Sequence, residues 1–414
     1  MATSESGARG RTSEIQIGPE PSGPDWARAA LEHEQELRSV LRALHEHPEL
    51  SGRETWTSDY VAKWLSHAGI ESTVLEGCTG VVGHIPGPRG SRTVALRCDM
   101  DGLPISEDRR SGPQSKAPGV MHACGHDFHM TACLGAARLL AGRKGKLPFG
   151  VKLIFQPAEE TSQGARELVG RGVLHSPAVD YIVGLHANPE LEAGTVGLTS
   201  GPVTSSETDF AIEVEGIGGH AAEPQKGRDA IVAAAAVVIA LQSVVARGTD
   251  PRHAAVVGVG LVDGGRSTNQ VADRVTMRGT VRCLGQGLDG HVRRSVSEIS
   301  EKTAAAYGCR CRVSYSEMVP AVGNDPALLD SIRADLEAAL GVAHVTSWPP
   351  SMVSEDFGYY LERVPGLFLW MGTTGEGQTP HPLHTPAFRV DERAIAPAVT
   401  ALCVVAGRLG DRGV

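Results

Sequence analysis

Short apolar runs alternate with amphipathic segments along most of the chain. Residues 93–98 (TVALRC) and 151–155 (VKLIF) are rich in branched and apolar side chains, which predicts two buried strands of a parallel or mixed sheet. Residues 130–140 (MTACLGAARLL), between these strands, predict a compact helix. This order of strand, loop, helix and strand is typical of an α/β domain, so we expect the polar residues after each strand to lie at one edge of a sheet.

Further elements of the same domain are predicted near both ends of the chain. Apolar residues at helical spacing from Trp26 onward predict a first helix that stops at His47, because the proline that follows disfavours helical geometry there. His45 and His47, near its end, are interpreted as cations that favour a helix carboxyl terminus. The later predicted elements are helices at 328–340 and 391–409 and a buried strand at 367–371.

The middle of the chain has a different pattern, with strand-like segments of alternating polarity around two helical segments. The predicted strands are residues 210–214, 254–259, 274–281 and 310–315, and the predicted helices are residues 229–245 and 288–306. The resulting order, β-α-β-β-α-β, is that of a ferredoxin-like unit inserted into a larger domain. The predicted division is a tail (1–24), a first part of the larger domain (25–202), the inserted domain (203–318) and a second part of the larger domain (319–414).

Composition and charge exclude several classes of function. The chain has 414 residues, which is longer than a domain with a single hydrophobic core usually is. Its 41% apolar and 21% charged residues are ordinary for a globular protein. Because 39 Lys and Arg residues oppose 48 Asp and Glu residues, the net charge of −9 argues against binding to nucleic acid or to an anionic membrane. The longest apolar stretch, residues 230–241, is shorter than the roughly 18 residues that span a bilayer, so no membrane segment is predicted.

The start of the chain and the cysteines bear on cellular location. Residues 1–24 are rich in Ser, Gly, Pro and Glu and hold no apolar segment typical of an export signal, which predicts a flexible tail. Eight cysteines in a chain of this length are too few for a disulfide scaffold, so reduced thiols are expected. We therefore expect a cytoplasmic protein.

Three clusters of potential metal ligands follow predicted strands or begin a predicted helix. They are Asp99 and Asp101 after the first strand, the segment HACGHDFH (122–129) at the start of the helix, and Glu159 and Glu160 after the second strand. Two more histidines in the same kind of context are His186 after YIVGL and His384 in HPLHTP. A thiol, imidazoles and paired carboxylates are the ligands of a divalent transition metal, and their softness favours zinc. Each cluster alone has a structural interpretation, and together they predict a metal site.

These segments are similar to the motifs of a known family. The sequence resembles the M20 metallopeptidase and amidohydrolase family, in the branch of hippurate hydrolases, auxin-conjugate hydrolases and N-acyl-amino-acid aminoacylases. The matching segments run from HEHPELSGRET near residue 45 to LHTPAFRVDERA near residue 390, with RCDMDGLP, GVMHACGHDFH, LIFQPAEE, VGLHANP, GIGGHAAEP and SEDFGYYL between them. The resemblance implies a zinc-exopeptidase-like catalytic domain with a mixed sheet, an inserted ferredoxin-like lid, and a homodimer formed through that lid.

The resemblance also implies a role for each matching residue. The implied metal ligands, for one or two divalent ions per subunit, are Cys124, His126, Glu160, His186 and His384. The implied ions are zinc first, with manganese, cobalt or nickel as alternatives. Glu159 is the implied general base, and Asp101 is implied to orient a metal ligand. In the lid, His220 is implied to reach the scissile carbonyl, often from the partner subunit, while Asn269 and Arg282 contact the substrate and the arginine grips its carboxylate.

Two departures from the family pattern leave details open. Other branches have a histidine at the position of Asp99 and a bridging carboxylate at the position of His126. Because an imidazole nitrogen does not easily hold two metals, Cys124 is the alternative bridge, and the number of ions stays open between one and two. The proline that usually follows the family's asparagine by three residues is replaced by Ala272, which is expected to loosen the loop that presents Asn269.

The predicted function is hydrolysis of the amide bond of an N-acyl amino acid or a related N-acylated amine, by water that a metal activates and with a glutamate as general base. Two alternatives use the same chemistry, a carboxypeptidase or dipeptidase acting on short peptides and a deacetylase of an N-acetylated diamino acid. A metal-binding scaffold without activity is a more distant alternative, since the ligand and base positions all match. Closure of the lid over the site is expected to be part of turnover.

Overall fold

The computed structural model describes residues 25–108, 113–285 and 287–411. The predicted tail at 1–24 lies outside the described residues. The described residues form a large sheet of eight strands, a smaller sheet of four strands and two short ribbons of two strands each. The predicted architecture, an α/β domain with a mixed sheet and an inserted ferredoxin-like domain, is confirmed.

Several helices begin where sequence signals place them. Asp25, Asp229 and Asp325 each cap a helix by accepting a hydrogen bond from a backbone N–H of its first turn. The α-helices within the described residues are α1 (Trp26–Glu32), α2 (Glu34–Glu46), α3 (Thr55–His67), α4 (His126–Ala141), α5 (Gly164–Gly170), α6 (Ala230–Ala246), α7 (Leu288–Ala306), α8 (Pro326–Leu340), α9 (Gly358–Leu361) and α10 (Ile395–Gly410).

The large sheet is mixed, and its central strands are parallel. Its strands, numbered in chain order, are β1 (Glu71–Val74), β2 (Val81–Ile85), β3 (Thr93–Asp99), β4 (Gly150–Gln156), β5 (Tyr181–Glu192), β6 (Val196–Leu198), β15 (Val345–Ser347) and β16 (Gly366–Thr374), in the spatial order β1-β2-β4-β3-β5-β16-β6-β15. Strand β3 pairs in parallel with β4 and β5, and β5 pairs in parallel with β16. Along β3, Val94 and Leu96 belong to one apolar core and Ala95 to another, so both faces of the sheet are covered.

The smaller sheet forms the inserted domain. Its strands are β8 (Ser206–Glu215), β10 (Ala255–Gly264), β12 (Arg274–Cys283) and β13 (Arg310–Tyr315), in the antiparallel order β10-β12-β8-β13. Helices α6 and α7 share a separate apolar core with this sheet, which includes Phe210, Val237, Met277 and Val296. The ribbons join β9 (Gly219–His220) to β11 (Gln270–Val271) and β7 (Gly201–Pro202) to β14 (Gly323–Asn324). The division at residues 203 and 318 stays a prediction.

The structure corrects the prediction at the first helix. The predicted single helix is two helices, α1 and α2, separated at His33, whose N–H bonds Ala30 O three residues back. Both helices pack against α4 and α10, so the apolar spacing continues across the break and does not reveal it. Helix α2 ends at Glu46, beside the predicted stop at His47.

Helix α10 and the short segment before it form a longer apolar segment than the stretch at residues 230–241. The helical segment Glu392–Gly410 is long and apolar enough to cross a membrane by length and composition, and 78% of its apolar window is buried inside the fold. It packs against α4, α8 and α1, as the core helix of a globular domain does.

Candidate metal centre

Three strands of the large sheet bring the predicted polar residues to one edge. Asp99 ends β3, and Glu159 and Glu160 follow the end of β4. The register aligns the last residues of β3 and β4, and it places His186 two positions beyond the last β3–β5 pair. The carboxyl ends of these parallel strands therefore carry the ligand-bearing residues, as the strand pattern predicts.

A left-handed glycine at the start of α4 places two of the predicted ligands. Gly125 has φ 89°, and a Cβ added there would lie 2.9 Å from the Cβ of Ala187. Only glycine adopts this conformation in so little space. The turn directs Cys124 and His126, on either side of it, into the same cluster with His186.

His384 enters the cluster from the other end of the chain. It also has a left-handed backbone, with φ 59°, and its N–H donates to Ala123 O at 2.9 Å. This conformation places its Nε2 3.2 Å from Cys124 Sγ and 3.5 Å from Glu160 Oε2. With its side chain 52% exposed, His384 lies at the mouth of a site whose other predicted ligands are largely buried.

The five predicted ligands converge around the sulfur of Cys124. Cys124 Sγ lies 3.4 Å from His186 Nε2, and His126 Nε2 lies 3.8 Å from Glu160 Oε1. The donors form two groups that share the sulfur, one with His126 and His186 and one with Glu160 and His384, and the atoms within each group lie within 4.8 Å of one another. His126 Nε2 and Glu160 Oε1 are buried without a hydrogen-bond partner among the described residues. Buried donors of this kind and an S, N and O ligand set fit a divalent transition metal.

Asp101 connects the ligands to the segment that carries Glu159. Its two carboxylate oxygens accept hydrogen bonds from the backbone N–H groups of Glu159 and Glu160, each at 3.1 Å, and Oδ1 lies 3.2 Å from His126 Nδ1. Burial would raise the pKa of Asp101, but the nearby imidazole of His126 holds it below its ordinary value. This is the position expected of a residue that orients a metal ligand.

Glu159, the predicted general base, is buried beside the ligands. Its Oε2 lies 4.0 Å from His126 Nε2. Burial and the nearby carboxylates of Glu355 and Asp356 hold the pKa of Glu159 well above its ordinary value. A carboxyl group with a raised pKa is suited to accept a proton from water and return it to a leaving group.

Several residues of the predicted motifs have partners in the site that the sequence does not reveal. The buried side chain of Arg97 pairs with Asp99 at 2.9 Å, Glu355 at 3.0 Å and Asp356 at 2.8 Å. An arginine inside the apolar run TVALRC is itself a signal, because a charge within a buried strand requires partners.

His129, the last residue of the predicted ligand segment 122–129, is not free to bind a metal. Its Nδ1 bonds Asp99 Oδ1 at 2.7 Å, and its Nε2 accepts the N–H of Ala187 at 2.8 Å. Burial lowers the pKa of His129 to about 3, so the ring is neutral. With both nitrogens occupied, His129 positions its neighbours.

The three predicted residues of the lid lie apart from the cluster. His220 is exposed and its Nδ1 accepts the N–H of Ala222, while Asn269 Oδ1 accepts the hydroxyl of Ser267. Arg282 Nη2 lies 2.7 Å from Glu207 Oε1. Within the described residues, no hydrogen bond or ion pair joins the side chains of His220, Asn269 or Arg282 to the predicted metal ligands.

The chain is similar to a known peptidase family, to curated relatives and to solved structures. The pattern of peptidase family M20/M25/M40 matches residues 95–407. An N-acetyl-L-cysteine deacetylase from Bacillus subtilis (strain 168) is 38% identical over 378 residues, which cover 91% of this chain and 89% of the relative. IAA-amino acid hydrolase ILR1-like 4 from Arabidopsis thaliana is 36% identical over 361 residues, which cover 86% of this chain and 81% of the relative. The crystal structure of a dinuclear metal-binding peptidase of the M20 family from Bacillus subtilis has a TM-score of 0.82 and 35% identity, and the match covers 92% of this chain and 99% of that chain.

Proposed function

Because the chain belongs to peptidase family M20/M25/M40, we propose that its metal centre hydrolyses the amide bond of N-acyl amino acids or related N-acylated amines. The relatives named as a deacetylase of N-acetyl-L-cysteine and a hydrolase of an IAA-amino acid support this substrate class. The single observation that carries the proposal is the convergence of five metal donors from separate parts of the chain, with the buried carboxyl of Glu159 beside them.

The cofactor is a divalent metal, and we propose both which metal it is and how many ions are bound. One thiol, three imidazoles and one carboxylate favour zinc, with manganese, cobalt or nickel as alternatives. Cys124, His126 and His186 would hold one ion, and Cys124, Glu160 and His384 would hold a second if two are bound. A divalent ion here supplies Lewis acidity, which makes water more acidic and a carbonyl more electrophilic.

The protein's own residues supply the proton transfers and the geometry. Glu159, whose pKa is raised, takes a proton from the attacking water and delivers it to the leaving amine. Asp101 fixes the backbone of Glu159 and Glu160, so the base and a ligand keep a constant separation. Arg282, with further N–H donors beyond the one that meets Glu207, grips the carboxylate of an amino-acid substrate.

The proposal includes a homodimer formed through the lid. Strand β10 ends the order of the four-stranded sheet, and it exposes Leu261 at 65% and Val262 at 62%. Helix α6 of the same domain exposes Ile239 at 74%. An unpaired strand edge with apolar side chains is suited to pair with a second copy of itself. His220 belongs to none of the possible metal-binding groups among the described residues, which is consistent with its action in the partner's site.

Replacement of Glu159 tests the proposed function. The Glu159→Gln variant keeps the size of the side chain but removes the proton acceptor, so it should retain bound metal while kcat falls by roughly 100-fold or more on N-acetyl, N-benzoyl or N-fatty-acyl amino acids. Metal content, measured by elemental analysis, is the control for an intact site. Unchanged turnover in this variant contradicts the assignment of the base. Faster cleavage of dipeptides than of any N-acyl amino acid by the wild type favours the carboxypeptidase alternative.

A further inference from the structure

Residues 157–164, here called the base loop, carry both Glu159 and Glu160 and close on Ala158. The backbone O of Ala158 accepts hydrogen bonds from the N–H groups of Gln163 and Gly164, at 3.3 and 3.2 Å, and from the hydroxyl of Thr161 at 3.2 Å. A Cβ added to Gly164 would lie 1.6 Å from Pro157 O, so the two ends of the loop are in direct contact. The conformation of Ala158 therefore sets the shape of the whole loop.

Ala158 has a backbone conformation that alanine rarely adopts. Its φ is 54°, in the left-handed region, although it carries a Cβ. Such a conformation is unfavourable in a residue other than glycine, and it persists only when its surroundings hold it. The strained residue directly precedes Glu159, so any relaxation at Ala158 rotates the peptide that carries the proposed base.

A buried carboxylate from another part of the chain holds this residue. Glu54, directly before α3, is fully buried, and its Oε1 accepts the N–H of Ala158 at 2.9 Å and the N–H of Gly52 at 2.8 Å. Its Oε2 accepts the hydroxyl of Thr79 at 2.6 Å. Hydrogen bonds from several donors to one carboxylate fix its position, because each must be broken for it to move.

Glu54 and Asp101 together hold three successive N–H groups of the base loop. The N–H of Ala158 donates to Glu54, and those of Glu159 and Glu160 donate to the two oxygens of Asp101. Asp101 also approaches the predicted ligand His126, whereas the side chain of Glu54 bonds Gly52, Thr79 and Ala158 and, among the described residues, none of the predicted metal ligands. Asp101 therefore links the base loop to a predicted metal ligand, whereas Glu54 links it to the segment before α3.

We propose that Glu54 is a positioning residue that keeps Ala158 left-handed and thereby aims the Glu159 carboxyl at the metal centre. This inference rests on the proposed function of Glu159 as the general base. Loss of the Glu54 contact releases the strain at Ala158, and a displacement of the base by about 1 Å is expected to cost about 100-fold in rate. The predicted effect is on kcat, because Glu54 lies behind the loop and the proposed substrate contacts belong to the lid.

Three variants of Glu54 separate positioning from stability. Glu54→Leu removes the acceptor and should lower kcat by roughly 10- to 100-fold while KM changes by less than about threefold. Glu54→Gln keeps a carbonyl oxygen that accepts both N–H groups, so its kcat should stay within about threefold of the wild type. If Glu54→Leu does not fold, Glu54→Asp carries the test, because it keeps the charge but is one methylene too short to reach Ala158.

Glu49 provides the matched control. Its carboxylate accepts the N–H groups of Trp56 and Thr57 at the start of α3, and it has no hydrogen bond to the base loop among the described residues. Glu49→Leu should therefore lower the melting temperature without changing kcat. Hydrogen–deuterium exchange of the peptide spanning 157–164 supplies a readout other than activity, and it should increase in Glu54→Leu and not in Glu49→Leu or Glu54→Gln.

Relief of the strain tests the cause directly. Glycine adopts φ 54° without a steric cost, so adding Ala158→Gly to Glu54→Leu should recover at least about fivefold in kcat. Ser162→Gly is the control, since Ser162 has φ 55° in the same loop but its N–H bonds Glu159 O and not Glu54. The inference is overturned if Glu159→Gln is inactive but a folded Glu54→Leu or Glu54→Asp variant has the same kcat and the same hydrogen–deuterium exchange as the wild type. Full activity of Glu159→Gln instead overturns the proposed base.

Discussion

At the scale of single residues, buried carboxyl groups in the site outnumber the arginine that lies among them. Arg97 is the cation between Asp99, Glu355 and Asp356, so the carboxylates exceed it in number. Burial raises the pKa of Asp356 to about 8, although Arg97 opposes the shift. Burial, together with the carboxylates of Glu355 and Asp356, raises the pKa of Glu159, which suits its proposed role as a general base.

His45 gives a prediction about the dependence of stability on pH. His45 lies in the last turn of α2, as the interpretation of it as a cation at a helix terminus requires. Its ring also bonds Asp127 Oδ2 at 2.7 Å and Glu107 Oε1 at 3.0 Å. Burial would lower the pKa of His45, but the two carboxylates raise it to about 10. Since the pKa is higher in the folded state, this stabilisation is fully present below about pH 6.5 and is lost as the pH rises towards 10.

We expect His45→Gln to remove this dependence. Between pH 7 and 9.5, the free energy of unfolding of the wild type should fall relative to that of His45→Gln, by at most about 1.4 kcal/mol per pH unit. Denaturant unfolding with saturating metal at each pH measures the difference. Parallel curves for the two proteins across this range contradict an ionised His45 in the folded state.

At the scale of helices and strands, local patterns predicted most of the elements that build the site. Strands β3, β4 and β13 and helix α7 lie at or within two residues of their predicted positions, because each is a continuous apolar or amphipathic segment bounded by polar turns. Helix α4 begins at His126, four residues before its predicted start, since buried polar ligands do not resemble the apolar face of a helix. The break between α1 and α2 was missed for the opposite reason, because both helices present apolar residues to the same core.

The paired strands β8 and β12 give a prediction about substrate recognition. Arg282 on β12 lies opposite Glu207 on β8, and Glu207 also accepts the hydroxyl of Ser354 from the larger domain. If Arg282 grips the substrate carboxylate, Arg282→Met should raise KM for N-acyl amino acids by roughly 10- to 100-fold, the effect of one charge-assisted hydrogen bond. N-acyl amines without a carboxylate should be cleaved as by the wild type.

The same pair of strands supplies the control. Arg274, at the other end of β12, forms a similar ion pair with Glu213 on β8, at 2.9 Å. Arg274→Met should therefore leave KM unchanged for both kinds of substrate. A rise in KM for carboxylate-free amines in Arg282→Met would show that the residue stabilises the lid and does not read the carboxylate.

At the scale of the whole molecule, the predicted site residues of the larger domain lie together, whereas those of the lid lie apart from them. The predicted metal ligands, Glu159 and Asp101 lie close together because one edge of the large sheet and the start of α4 carry most of them. His220, Asn269 and Arg282 belong to the smaller sheet and the ribbon beside it, and no local pattern in the sequence sets the position of these elements relative to the metal site. Glu54 was missed because its contact is with a backbone N–H more than a hundred residues away, and no local pattern marks such a bond.

The exposed edge of the lid gives the last prediction. If β10 and α6 pair with a second copy, the double variant Leu261→Lys and Ile239→Lys places four cations in the interface of the dimer. The dimer should then become a monomer, which light scattering during size-exclusion chromatography measures. Because a monomer lacks the partner's His220, its kcat should fall by roughly 100-fold even with full metal content. Leu31→Lys, an exposed leucine on α1 in the other domain, is the control and should change neither property. A monomeric wild type contradicts the dimer, and a monomeric variant with full kcat shows that His220 does not act from the partner subunit.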